Sequence, residues 1–123
     1  EMSDLQKFGV IVTQKQKKEI EKYKESTSFV VDCPEEKFAY LHRGRKSLAF
    51  RMPEKTSLLK LLRETGPLVA PSANLQGFPV AKNISEARAY FGHQVDYYKY
   101  AGAVIAPPSK LIDLTNGVEK IVR

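Results

Sequence analysis

Gly66-Pro67-Leu68-Val69-Ala70-Pro71-Ser72-Ala73-Asn74 reads as a helix stop, a short buried strand and a polar turn, an order that points to an α/β protein. Gly66 ends the helical pattern before it, Leu68 to Ala70 are apolar, and Pro71 has no N–H with which to continue a ladder. Ser72 and Asn74 then set a hydroxyl and an amide at the mouth of the strand, where α/β sheets usually hold ligands.

The pattern continues on both sides. Upstream, Thr56 or Ser57 caps a helix that buries Leu58, Leu59, Leu61 and Leu62 and ends before Gly66. Strands are expected over 47–50, with Leu48 and Phe50 on one face, and over 27–31, preceded by a helix over 14–24. Downstream, Asn83 with Glu86 three residues later resembles a capping box for a helix reaching Phe91 and closed by Gly92. A strand is expected over 95–98. Segments 111–114 and 118–122 form a hairpin around Thr115-Asn116-Gly117, where Asn-Gly supplies the positive φ angles of a tight turn. Strands alternating with helices give an α/β sheet, and 123 residues suffice for one domain with its own core.

Composition narrows the class. Hydrophobic residues at 42% and charged residues at 28% are ordinary for a globular chain. No apolar run approaches the roughly 20 residues of a membrane helix, and no signal-peptide pattern is present. Cys33, the single cysteine, excludes an internal disulfide framework and fits a reducing cytoplasm. The net charge of +6 suggests anionic partners. Part of it, however, lies in a helix where Lys15, Lys17, Lys18, Lys22 and Lys24 alternate with Glu19, Glu21 and Glu25, giving pairs such as Lys15–Glu19 on a solvated face. His42-Arg43-Gly44-Arg45-Lys46 is a more compact basic cluster in a turn.

Several chemistries find no residues. There is no glycine-rich dinucleotide fingerprint and no Walker-type loop. His42 and His93 lack partners at zinc-ligand spacing. Ser72 lacks a nucleophile elbow. What remains is Ser47, Arg51, Ser72, Asn74, Ser109 and Arg123, a set of hydroxyls, one amide and two arginines at strand ends. Such groups suit holding a carboxylate and a polyphosphate and stabilising a transferring group by position and charge, rather than general acid–base work. Asp113 reads as a structural partner of the Asn116-Gly117 turn. Tyr97, Tyr98 and Tyr100 could stack on RNA, although alternation in a strand would bury about half of them.

The chain resembles the YrdC/TsaC family of L-threonylcarbamoyladenylate synthases over nearly its whole length. Residues 67–77 are similar to that family's Pro-Ser-Ala-Asn-x-Ser-Gly signature. Ser47-Leu48-Ala49-Phe50-Arg51-Met52-Pro53 resembles its strand ending in Arg-x-Pro, Pro108-Ser109-Lys110-Leu111-Ile112-Asp113 its Pro-Ser-Thr-x-x-Asp segment, and Ile121-Val122-Arg123 its closing Ile-x-Arg. The resemblance implies a YrdC-like fold: a twisted open mixed sheet flanked by helices, lacking the family's N-terminal strands. It implies a single domain over 1–123, N-terminally incomplete, either a divergent bacterial member or a truncated fragment.

The resemblance further implies a reaction of tRNA modification, at adenosine 37. L-threonine, bicarbonate and ATP with magnesium give threonylcarbamoyl-AMP and pyrophosphate, and a partner transferase passes the threonylcarbamoyl group to tRNA. Carried over by position, Ser47, Ser72, Asn74 and Arg123 would contact ATP; Arg51, the Ala70 backbone and Ser109 would hold threonine. No prosthetic group and no membrane are implied, and the expected location is cytoplasmic. The family's Pro-Thr-Asp-Thr and Lys-x-Arg motifs, which grip the nucleotide phosphates, are absent, and of its Pro-Gly-Pro-x-Thr segment only the hydroxyl of Ser28 survives. Weak catalysis by this polypeptide alone, self-association through an exposed sheet edge, and an alternative role as an inactive double-stranded RNA or tRNA-binding module are therefore expectations beside synthase activity.

Overall fold

The computed structural model describes residues 1–23, 27–103, 106–117 and 119–122. The chain divides into two compact units, one made of Glu1–Leu68 with Ser109–Arg123 and the other of Val69–Pro108.

The first unit is organised by Thr27–Asp32 (β1). Its run of Phe29, Val30 and Val31 favours extended backbone, and its side chains alternate strictly. Thr27, Phe29 and Val31 are buried, whereas Ser28 and Val30 on the opposite face are half-exposed. Ser47–Arg51 (β2) pairs antiparallel with β1, and Lys110–Asp113 (β3) pairs parallel to it on the other side. Lys120–Ile121 (β4) closes an antiparallel hairpin with β3, giving a four-stranded mixed sheet in the order β2-β1-β3-β4. The expected positive-φ turn is present at Asn116 (φ 57°) and Gly117 (φ 71°).

One face of this sheet is packed. Phe29, Val31 and Ile112 meet Val10, Ile20, Cys33, Phe38 and Leu114 in the core. Each large apolar side chain so buried contributes about 1.5–3 kcal/mol. The main covering element is Gln14–Glu21 (α1). Thr13 starts it by accepting the Gln16 N–H, while the Gln16 side chain accepts the Thr13 N–H at 2.8 Å. Buried Gln16 also donates Nε2–H to the carbonyl of Leu114 at 3.0 Å, pinning the helix start to the end of β3. Lys15 reaches the Gly117 carbonyl instead of pairing with Glu19, which is bound by Lys22 at 2.5 Å. Tyr23 donates its hydroxyl to Glu119, tying the residue after α1 to the chain just before β4. Before α1, the 3-10 segment Met2–Phe8 stops at Gly9, whose φ of 67° is left-handed.

Ala39–His42 (α2) and Thr56–Thr65 (α3) complete the first unit. Two expectations for α3 change. Lys55 holds the N-cap position and no side chain caps the helix. None of its leucines is buried: Leu58, Leu59 and Leu62 are half-exposed and Leu61 is 44% exposed. The expected helix over 14–24 ends at Glu21, and Lys24 lies outside the described residues.

The second unit contains Ile84–Phe91 (α4), capped by Asn83, whose side chain accepts the Glu86 N–H at 2.9 Å, and closed by Gly92. Neither strand expected in or beside this unit forms. Residues 68–70 pair with no described strand, and Leu68 and Val69 stay 52% and 81% exposed. Three apolar residues between two prolines offer too few ladder hydrogen bonds to hold an extended strand against solvent. Residues 95–98 are irregular as well, because the ring of Tyr98 docks back on α4 rather than facing a sheet. Among the described residues no helix is long and apolar enough to cross a membrane.

Candidate functional site

The face of the sheet turned away from the core carries the polar residues. Alternation along β1 puts Ser28, Val30 and Asp32 on that face, opposite Arg51, Ala49 and Ser47 of β2. Leu111 and Asp113 of β3 lie beside them. None of these residues is buried, so this face is the accessible one. At one end Ser28 sits across from Arg51, and its Oγ lies 3.2 Å from Oγ of Ser109, the residue before β3. Two hydroxyls and a guanidinium root therefore converge from three neighbouring strands. Two such hydroxyls can donate to an anion or accept from an ammonium group, and a guanidinium beside them suits a carboxylate.

The other end is built differently. Ser47 lies opposite Asp32. Four residue steps along the strand take the chain from it to Arg51, about 13 Å along the face. Asp32 accepts the Asn116 N–H at 3.3 Å, and Asp113 accepts both the N–H and the hydroxyl of Thr115, at 2.9 and 2.7 Å. The Thr115 hydroxyl, then its N–H, holds the Asp113 carboxyl below the usual carboxylate range. Asp113 is thus the structural partner of the turn, as its place in the sequence suggested. No group of three His, Cys, Asp or Glu side chains suited to holding a metal ion occurs among the described residues.

Ser47 follows the basic turn, and His42 builds that turn. The imidazole is buried; its Nδ1 accepts the Gly44 N–H at 3.1 Å, and Nε2 faces the Glu35 carbonyl at 3.3 Å, which places the ring proton on Nε2. Arg43 and Lys46 adopt positive φ angles of 49° and 54° in this tight loop. Arg43 and Arg45 remain exposed, and Lys46 pairs with Glu36 at 3.2 Å. Cys33 is fully buried, its thiol donating to the Phe8 carbonyl, and burial pushes its pKa up, so it is a core residue without nucleophilic character.

In the second unit Asn74 organises a loop. Its Nδ2 donates to the carbonyls of Leu75 at 3.0 Å and Phe78 at 3.1 Å, and its own N–H bonds to the Ser72 carbonyl. Ala81 closes the loop by donating to the Ala73 carbonyl at 2.8 Å. Oδ1 of Asn74 is buried and has no hydrogen-bond partner among the described residues. Ser72 and Ala70 are exposed.

Of the residues singled out in the sequence, Ser47, Arg51 and Ser109 share the open face of the first unit. Ala70, Ser72 and Asn74 belong to one loop region of the second, and Arg123 lies outside the described residues. The sequence marks Ser28 only as a surviving hydroxyl. Its partnership with Arg51 and Ser109 depends on strand register, which no local signal specifies.

With this geometry in place, comparison with known proteins assigns the family. The profile of Sua5_yciO_yrdC, described as telomere recombination, matches residues 1–123, and the chain belongs to this family. Among curated proteins it is 35% identical over 78 residues to a protein of Mycobacterium leprae (strain TN) provisionally named threonylcarbamoyl-AMP synthase, covering 63% of this chain and 36% of that one. It is 30% identical over 91 residues to the threonylcarbamoyl-AMP synthase of Laribacter hongkongensis (strain HLHK9), covering 74% of this chain and 49% of that one. The chain thus spans half or less of the length of the curated relatives it matches. No solved structure matches it significantly.

Proposed function

We propose that the chain carries the threonine-binding part and part of the nucleotide-binding surface of an L-threonylcarbamoyladenylate synthase. The observation that carries this reading is the cluster of Ser28, Ser109 and Arg51 at one end of the open sheet face. Arg51 pairs with the threonine carboxylate, and the serine hydroxyls orient the amine and side-chain hydroxyl. The chemistry is then positional. The threonine amine takes up bicarbonate with loss of water, giving a carbamate. A carbamate oxygen attacks the α-phosphorus of ATP in line, forming threonylcarbamoyl-AMP and expelling pyrophosphate with its magnesium.

ATP fits the second unit on one observation. The buried Oδ1 of Asn74, without a partner among the described residues, calls for a donor, which an adenine amine or a ribose hydroxyl supplies. Ser72, in the same loop region, adds a hydroxyl. The product goes to tRNA modification through a transferase, with the reaction in the cytoplasm.

Titration calorimetry with L-threonine tests the reading. Binding of L-threonine that exceeds that of D-threonine and is lost in Arg51→Ala supports it. Equal heats for the two enantiomers, or none, overturn it.

A further inference from the structure

We propose that the outer edge of β2 joins two copies of this chain, and that the second copy supplies Ser47 and Asp32 to the cluster at Arg51. The β1–β2 ladder shows which groups face outward. Cys33 donates its N–H to the Lys46 carbonyl at 2.8 Å, in the same register that sets Val31 against Leu48 and Phe29 against Phe50. Hydrogen-bonded pairs recur at every second position of an antiparallel ladder, so Leu48 and Phe50 turn their N–H and C=O groups toward β1. Ser47, Ala49 and Arg51 turn theirs away. Among the described residues no backbone hydrogen bond reaches Ser47 or Ala49 from that side.

The opposite edge of the sheet is guarded. β4 is two residues long, carries Lys120, and follows the Glu119 that Tyr23 ties down. Short, charged edges of this kind resist pairing. β2 instead offers five residues, with no proline among them and its only charge at the end. Ala49, at the centre, is exposed.

A second β2 fits this edge in one antiparallel register. Outward groups must meet outward groups, and full overlap then places the two-fold axis at Ala49. Ala49 pairs with its own copy and Ser47 with Arg51 of the other, an isologous contact in which each unlike pair occurs twice. Leu48 comes opposite Phe50 of the second copy, which extends the apolar face that already packs on the core.

This pairing brings together charges that one copy keeps apart. Within a copy, Arg51 and Asp32 stand at opposite ends of the open face. Across the axis the row runs from Ser28 to Arg51 and on to Ser47 and Asp32 of the second copy. Two strand spacings, about 10 Å, separate Arg51 from that Asp32. A long guanidinium side chain and a carboxylate thus face one another with a serine hydroxyl between them. Asp32 uses Oδ2 for the Asn116 N–H, at 3.3 Å. Resting on the threonine reading above, the zwitterionic amino acid sets its carboxylate on Arg51 and its ammonium group on Asp32 of the second copy.

Sedimentation equilibrium of the full chain from about 10 µM to about 1 mM, the range of small interfaces, tests the pairing. The mass rises from one chain toward two, and amide exchange at Ser47 and Ala49 slows by about tenfold or more over the same range. Ala49→Pro stays a single chain: it removes the N–H at the axis, which points away from β1, so the β1–β2 ladder is kept. Mixing tests the shared site by calorimetry. Arg51→Ala and Asp32→Asn each weaken L-threonine binding about tenfold. Their mixture regains about a quarter of the native sites, because about half the dimers are mixed and each of those holds one intact Arg51–Asp32 pair. A single-chain mass throughout, or exchange at Ser47 and Ala49 that ignores concentration, overturns the proposal. So does a mixture no better than its parts where the native chain binds threonine. Native threonine heats from a single-chain species overturn it too, yet leave the threonine reading standing. A dimer without threonine heat overturns that reading instead, while its mass and exchange uphold the edge pairing.

Discussion

Oγ of Ser28 and Oγ of Ser109 lie 3.2 Å apart although 81 positions separate them in the chain. The contact exists because β1 and β3 run parallel with Ser28 abreast of Leu111, so Ser109, two positions before Leu111, reaches Ser28 diagonally. Arg51 stands across Ser28 on the other flank.

Removing the parts of this cluster one at a time grades their roles. Ser109→Ala weakens L-threonine binding about fivefold to tenfold, the effect of one neutral hydrogen bond. Arg51→Ala weakens it by tenfold or more, as loss of a charge-assisted bond requires. Arg51→Lys recovers only part, because an ammonium group cannot make the paired contact of a guanidinium. Calorimetry on the three variants checks the order; a larger loss for Ser109→Ala than for Arg51→Ala would be inconsistent with it.

Asp113 gives a pH dependence of known sign. Its folded-state carboxyl is held below its ordinary value of 3.8 by Thr115, so it favours the folded state above that value. The contribution fades as pH falls below 3.8 through the lower folded-state value. Asp113→Asn therefore costs about 1 kcal/mol at neutral pH, discounted for partial exposure. The gap between native and variant urea midpoints narrows as the pH falls below 3.8. A gap that widens on acidification would refute the assignment.

Gln16 is expected to be the most sensitive polar residue of the core. Gln16→Ala strips the Thr13 N–H and the Leu114 carbonyl of their partners at once. A cost of about 1–3 kcal/mol follows from the unsatisfied groups alone. Urea denaturation followed by circular dichroism measures it, with the surface change Lys18→Ala expected to stay within about 0.5 kcal/mol.

Gly9→Ala fails for two reasons together. The position needs a φ of 67°, and a Cβ built there would meet the Glu35 carboxylate and lie 2.8 Å from the Phe38 ring. A loss of more than about 1 kcal/mol is expected by thermal melting, and Gly44→Ala, with open space around it, loses less.

The sequence was most legible where local rules act. Asn83 and Gly92 bracket α4, Asn116-Gly117 turns the β3–β4 hairpin, and Leu48 with Phe50 marks the face of β2 that packs on the core. It misled where an element needs a distant partner. Residues 68–70 and 95–98 have strand-like composition, yet pair with no described strand. The open face repeats the lesson: Ser47, Arg51 and Ser109 could be chosen from residue type and position, but the place of Ser28 between two of them comes from register. Asn74 turned out to hold its loop with Nδ2, a duty its amide shares with any ligand contact of Oδ1.

The strand order has a consequence for the newborn chain. β1 ends at Asp32, its parallel neighbour β3 begins at Lys110, and the whole second unit is synthesised between them. During translation β1 has β2 for company while its other edge waits, and Ile112 and Leu114, both fully or almost fully buried in the folded chain, arrive only after the second unit. Central closure is thus a late, long-range event, slow by topology and open to edge pairing meanwhile. A ribosome that stops before Ser109 releases a sheet without its middle.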